Sequence, residues 1–254
     1  MKALSVPFLT LLRKEVERFL SVPTQTVFTP LVSATLYMVI FGVSLGDRVV
    51  FHGLHYAAFL VPGLVMMGVL NHSFQNTASS IMISKFEGNI VEILVAPISY
   101  MEMTCAYALG GVIRGALVGA ATWFATLPFA FEIPGHPVFA LAIMLLASSA
   151  FALLGILAAV WADRFDGISV VSSFVILPLT YLGGVFYSLD VLPPFWRALA
   201  RWNPILYMVD GLRFGFYGVS DVAPAVSLGV TAALAAALFT VVLGILRSGW
   251  RLRS

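Results

Sequence analysis

Asp163 and Asp166, three residues apart in WADRFDG with Arg164 between them, are the acidic pair whose spacing could do chemistry. Two such carboxylates can hold Mg²⁺ through a phosphate ligand, the arrangement that serves prenyl-diphosphate transfer. A metal–diphosphate site needs a second acidic cluster facing the first, and Glu87, Glu92 and Glu102 lack that spacing. A solvated loop at a helix end is therefore the simpler account, and an enzyme acting on a lipid-linked substrate is the alternative. No GxxxxGK[ST], nucleophile elbow, HExxH or strand–helix GxGxxG is found, so the chain by itself cannot hydrolyse ATP and no catalytic residue is assigned. Cys105 is the single cysteine, which excludes an internal disulfide; no Cys/His spacing of the metal-binding kind occurs and no metal is assigned.

Asn71, His72, Gln75, Asn76 and Ser79 recur three and four residues apart, placing them on one face of a helix. In an otherwise apolar segment that face belongs toward a bundle interior or a water-accessible cavity. It therefore reads either as the lining of a translocation pathway or as a set of helix-to-helix hydrogen bonds. Gly111, Gly115 and Gly119, spaced by four in GGVIRGALVGAA, line a face that another helix can approach closely, a packing signal. Arg114 interrupts that run and is expected to reach the headgroups or to pair with a carboxylate such as Glu102.

The elements that position these residues follow from composition. Of 254 residues 60% are hydrophobic and 10% charged, against roughly 25% charged in a soluble domain. The mean hydropathy is +0.99. A polar shell cannot be built from that composition, so lipid supplies much of the solvent. Backbone in lipid must bond internally, and long apolar runs without alternation exclude a barrel, which leaves an all-α integral membrane protein. Its spans are expected near residues 26 to 45, 56 to 82, 101 to 131, 137 to 161, 168 to 188 and 225 to 246, with Pro62-Gly63 a candidate kink. The net charge of +2 is scattered along the chain, which argues against nucleic acid as a partner. Lys2, Arg13, Lys14, Arg18, Lys85, Arg164, Arg247, Arg251 and Arg253 share one side, against Arg48, Arg197, Arg201 and Arg213 on the other. The positive-inside rule then puts both termini in the cytoplasm.

Three segments outside the spans carry pattern. In residues 5 to 21, Leu9, Leu12, Val16 and Phe19 or Leu20 recur at helical spacing opposite Arg13, Lys14, Glu17 and Arg18, which predicts an interfacial amphipathic helix. Those charges interrupt the apolar run before it takes signal-peptide form, so the segment is expected to be retained. Residues 84 to 97 predict a short cytoplasmic helix with Lys85, Glu87 and Glu92 beside Phe86, Ile90, Ile93 and Leu94; it suits a groove on a soluble partner as well as the membrane surface. Residues 189 to 215 are too long for a turn and too aromatic for a solvated loop. Pro193-Pro194 and Asn203-Pro204 divide them into short helices expected to dip into the outer face, or to lie flat in the aromatic belt.

YAAFLVPGLVMM, KFEGNIVEILVAPIS, LPLTYLGGVFYSLDVLPPFW and RWNPILYMVDGLR together make the chain resemble the permease subunit of type-2 ABC exporters, nearly end to end. It looks most like the small bacterial permeases of the YadH-like, nodulation and daunorubicin types. The resemblance implies a bacterial plasma-membrane homodimer bound to two separate cytoplasmic ATPase subunits, which hold the ATP and Mg²⁺. It makes the helix at residues 86 to 95 a coupling helix and brings the N-terminal helix to the same ATPase, so Arg13, Lys14, Glu17, Arg18, Lys85, Phe86, Glu87, Ile90, Glu92 and Leu94 become docking residues. The first and fifth spans would form the dimer interface, with Tyr37, Phe41, Leu177, Tyr181 and Phe186 beside Asn71, His72 and Gln75 along the pathway. Trp196, Trp202, Asn203 and Pro204 would belong to an outer gate, and the cargo would be lipid-linked, saccharide or drug-like. A self-contained carrier is disfavoured: the stripe on the second span is uncharged and no inverted repeat of broken helices is seen.

Overall fold

The computed structural model describes residues 5–44 and 49–249. Lys2, Arg48, Arg251 and Arg253 of the charge count, and the side chain of Leu94, lie outside the described residues. Among the described residues six helices are long and apolar enough to cross a membrane: α2 (Thr24–Val43), α3 (Tyr56–Phe86), α5 (Tyr100–Thr126), α6 (Pro137–Trp161), α7 (Phe165–Leu182) and α10 (Pro224–Ser248). Four shorter helices join them: α1 (Val6–Leu20), α4 (Ile90–Val95), α8 (Pro194–Arg201) and α9 (Pro204–Tyr217).

Local chemistry sets most boundaries. Ser99 caps α5 with a capping box in which Glu102 reaches back to the Ser99 backbone. Asn203 caps α9, its Oδ1 accepting from Ile205 N at 3.0 Å, and Pro204 follows at a first-turn position that has no N–H to lose. The fifth span stops at Leu182, six residues short of the expected end, because Gly183-Gly184 turns the chain with Gly184 at φ +78°. The third ends at Thr126, short of residue 131. Two π-helical turns stand directly before prolines: Thr29 N–H bonds Thr24 O ahead of Pro30, and Leu177 N–H bonds Ser172 O ahead of Pro178. Each proline offers no N–H to the carbonyl four residues back, and the widened turn accommodates that gap.

The core is α3 against α5 and α6, with α9 and α10 packed on α6. The 31 residues of α3 give roughly 46 Å of helix, well beyond a hydrocarbon core of about 30 Å. Gly111, Gly115 and Gly119 face α3 and α6: a Cβ would meet Ala152 Cβ at 2.6 Å from Gly111, Ser148 Oγ at 2.6 Å from Gly115 and Val69 Cγ2 at 2.7 Å from Gly119. A second polar row on α3, Ser73, Thr77 and Ser80, makes interhelical hydrogen bonds beside those of Asn76 and Ser79 in the expected stripe. Ser73 Oγ bonds Ser148 Oγ at 2.6 Å, Thr77 donates to Ala152 O at 2.6 Å, and Ser80 donates to Glu15.

Opposite α1, a hairpin pairs β1 (Val50–Phe51) with β2 (Leu54–His55). His52 at φ +53° and Gly53 at φ +78° supply the two positive φ angles of a tight type I′ connection.

Candidate functional site

The helix α1 is amphipathic as expected, but its buried side is rotated. Phe8, Leu11, Glu15 and Phe19 are buried, and α1 packs on α5, where Gly110 admits Glu15. Val6, Leu9 and Leu20 remain exposed, interleaved with Arg13 and Glu17, which form an exposed pair at 2.6 Å with Lys14 exposed beside them. Arg18 turns inward instead of joining that outer charged face. It donates to Asn76 O at 2.7 Å, Asn76 Oδ1 at 3.0 Å and Ser79 Oγ at 3.2 Å, and pairs with Glu15 Oε2 at 3.2 Å. Buried Glu15 carried no motif, and helical spacing alone placed it with the apolar residues it accompanies.

The loop between α3 and α5 also differs from expectation. The helix is shorter than residues 84 to 97, since Phe86 still belongs to α3 and α4 holds six residues. Lys85 caps the end of α6, donating to Ala162 O at 3.0 Å and Ala159 O at 3.3 Å, because those last carbonyls have no helical partner. Ile90 is buried with Phe8, Leu11 and Ile81. Phe86, 83% exposed, and Glu87, Glu92 and Val95 face outward. Phe86 meets Phe165 edge-on at 6.2 Å, beside a cleft of about 710 Å³ that Lys85, Asp163 and Arg164 also line. Asp163 and Asp166 are exposed, and no further His, Cys or carboxylate joins them in a metal-holding group among the described residues.

The expected pathway residues fall into separate places. Phe186 collects Tyr37 at 5.6 Å, Phe41 at 5.4 Å and Tyr181 at 5.7 Å into one aromatic cluster between α2 and α7. Leu177 stands apart from it, exposed on α7. Asn71 and His72 line a small cavity of about 130 Å³ with Tyr37 and Thr122. Gln75 and Ser79 open onto a different cavity of about 520 Å³ with Arg18 and Arg114. Arg114 neither snorkels nor pairs with Glu102. It is 5% exposed, and Glu102 accepts from Ser5 and Ser99.

On the opposite face α9 is 14 residues long, shorter than a span, and buried against α3, α6 and α10. Asn203 is 3% exposed and donates to Leu179 O at 2.6 Å, so it ties α9 to α7; Trp196 and Trp202 are exposed. Sequence reading missed the polar network beneath them. Asp210 accepts from Asp221 N at 2.7 Å and Val222 N at 3.0 Å, and Asp221 accepts from Ser188 Oγ at 2.7 Å and Leu189 N at 3.1 Å. His52 Nε2 lies 2.9 Å from Asp221 Oδ1. His52, Asp190 and Asp221 bring three potential metal-ligand atoms within 4.8 Å of one another, against the expectation of no metal site, although Asp221 is already engaged by protein donors. Residues so far apart in the chain leave no spacing to detect.

Six apolar helices, the longest of them the polar-striped α3, with short capped helices on both faces, make a multi-pass membrane architecture. The ABC-2 type transporter family model matches residues 7–217, and the chain belongs to that family. It is 42% identical over 243 residues to the inner membrane transport permease YadH of Escherichia coli strain K12, covering 95% of this chain and 94% of that protein. More distantly, it is 24% identical over 174 residues to nodulation protein J of Rhizobium leguminosarum bv. trifolii, covering 63% of this chain and 62% of that protein.

Proposed function

We propose that the chain is the permease subunit of an ATP-driven exporter in a bacterial inner membrane, acting as a dimer with two cytoplasmic ATPase subunits that hold the ATP and Mg²⁺. Family membership and the name of the Escherichia coli relative support the class and the location. The observation that carries the coupling is the surface that Phe86, Phe165, Lys85, Asp163 and Arg164 form at the 710 Å³ cleft, with Glu87, Glu92 and Val95 exposed in the loop that follows Phe86. Exposed aromatics beside charges on one face suit a groove in a soluble partner. With that face in the cytoplasm, both termini are cytoplasmic and α8 and α9 form the outer side, as the distribution of lysine and arginine supports.

In this reading ATP-driven closure of the ATPases pushes on α4 and α1. The motion reaches α2 and α7, whose π-helical turns and shared aromatic cluster make them the segments that rearrange as an amphiphilic, lipid-linked or saccharide cargo passes between protomers. The test is co-expression with an ATPase encoded beside this chain. Phe86→Ala and Glu92→Lys are expected to lose copurification, or the coupling of ATP hydrolysis to transport, while the permease keeps its elution profile and thermal midpoint. A complex that stays fully coupled in both variants, or the absence of any associating ATPase, overturns the coupling surface.

A further inference from the structure

Arg114 lies midway along α5, 5% exposed, and its Nε has no hydrogen-bond partner. Among the described residues no carboxylate pairs with it, although buried guanidinium groups are ordinarily paired and hydrogen-bonded. It borders the open cavity of about 520 Å³ lined by residues of α1, α2, α3, α5 and α7. The other cation in that wall is Arg18, whose Nε is likewise buried without a partner. Among the described residues no acidic side chain lines the cavity. Glu15, the nearest carboxylate in the network, is spent on Arg18 and Ser80. The facing side is hydroxylic: Ser169, Ser172 and Ser173 share one face of α7, and Gln75 on α3 stands across from them. Phe19, Val22, Ile83, Phe165 and Ile168 supply its apolar surface, and Ser21, Gln25 and Ser79 add further neutral polar groups.

A cavity in which Glu15 meets the charge of Arg18 but nothing meets that of Arg114, with neutral donors across from it, is suited to take an anion, and a planar fork with no protein partner matches phosphate oxygens bidentately. Apolar walls among membrane-spanning helices favour an anion that carries a hydrocarbon tail. We propose that this cavity binds the phosphate-class headgroup of an anionic amphiphile, with Arg114 as the residue that recognises the charge. The proposal deepens the exporter reading, since it names the class of cargo, or of bound lipid, that enters from the α1 side.

The full-length chain in a neutral detergent is titrated with dihexanoyl phosphatidic acid, dihexanoyl phosphatidylcholine and inorganic phosphate, following the thermal midpoint. Phosphatidic acid is expected to raise it saturably. Arg114→Gln weakens the apparent Kd about tenfold, the scale of one lost charged contact. Arg114→Lys keeps part of the effect, and Ser172→Ala with Ser173→Ala weakens binding less, so the proposal stays testable if the glutamine variant misfolds. Inorganic phosphate acting only at much higher concentration supports an amphiphile. Inorganic phosphate acting at the same concentration as phosphatidic acid overturns the amphiphile. Equal binding by well-folded Arg114→Gln, or phosphatidylcholine acting as well as phosphatidic acid, overturns the anion site. No ATPase enters the experiment, so its failure and the failure of the coupling reading are separate results.

Discussion

The guanidinium carbon of Arg213 lies 4.0 Å from the ring centroid of Phe59, stacking α9 on α3 in the half of the bundle away from α1. Arg213 Nη2 also donates to Gly184 O at 2.8 Å, and Nη1 lies 3.7 Å from Asp210 and 3.9 Å from Asp221. One fully buried side chain thus joins α9, α3, the Gly183-Gly184 bend and the loop before α10. These partners offset the cost of burying the cation, at the two Nη atoms though not at Nε, which is buried without a hydrogen bond.

Removing Arg213 leaves two carboxylates without their cation. Arg213→Met is expected to destabilise the permease by about 3–5 kcal/mol, the cost of breaking a buried ion pair from one side. Thermal unfolding in detergent measures it. A combined Arg213→Met and Asp210→Asn variant should recover part of the loss, and no recovery would mean that the stacking on Phe59 matters more than the charges.

Asp221 gives a pH signature. Burial pushes its carboxyl up, but the Ser188 hydroxyl, the Leu189 N–H, the Arg213 guanidinium and the His52 ring outweigh burial and hold it below its ordinary value. A depressed folded value means that its stabilising contribution is present above the unfolded value of about 3.9 and is lost as pH falls through the folded one. Wild type should therefore lose thermal stability as pH drops below about 4, the reference value for aspartate. Asp221→Asn should start less stable and show a shallower loss over the same range. Parallel curves for the two proteins would contradict this assignment.

At Gly115 a Cβ would stand 2.6 Å from Ser148 Oγ and closer still to Ser73 Oγ. Gly115→Ala should cost about 1–3 kcal/mol by overpacking, read as a lower thermal midpoint. Adding Ser73→Ala should return part of it, because the second substitution removes one of the atoms in the way while leaving the backbones where they are. Gly229, which faces open space on α10, supplies the control: Gly229→Ala should be neutral or slightly stabilising.

The class of the protein was decided by sequence alone, because hydropathy, proline and glycine act through the local chain. Six apolar runs require six helices, Asn203-Pro204 divides the segment before the last of them, and the spacing of Gly111, Gly115 and Gly119 puts them on one face wherever that helix packs. The amphipathic character of α1 is local in the same way.

Which way each helix turns was decided only in three dimensions, because rotation depends on the neighbour a face meets. Glu15 is fully buried and Arg18 points inward because α5 presents Gly110 and α3 presents Ser80 and Asn76 to that side of α1. Lys85 was legible as a surface charge, yet it is held by the open carbonyls at the end of α6, some 75 residues away. Asp210, Arg213 and Asp221 are scattered polar residues in the sequence and one buried network in the fold. Arg114, read as a cation in need of headgroups or Glu102, sits against a cavity whose charge only the assembled walls define. A pairing is a property of two segments at once, and neither segment carries it alone.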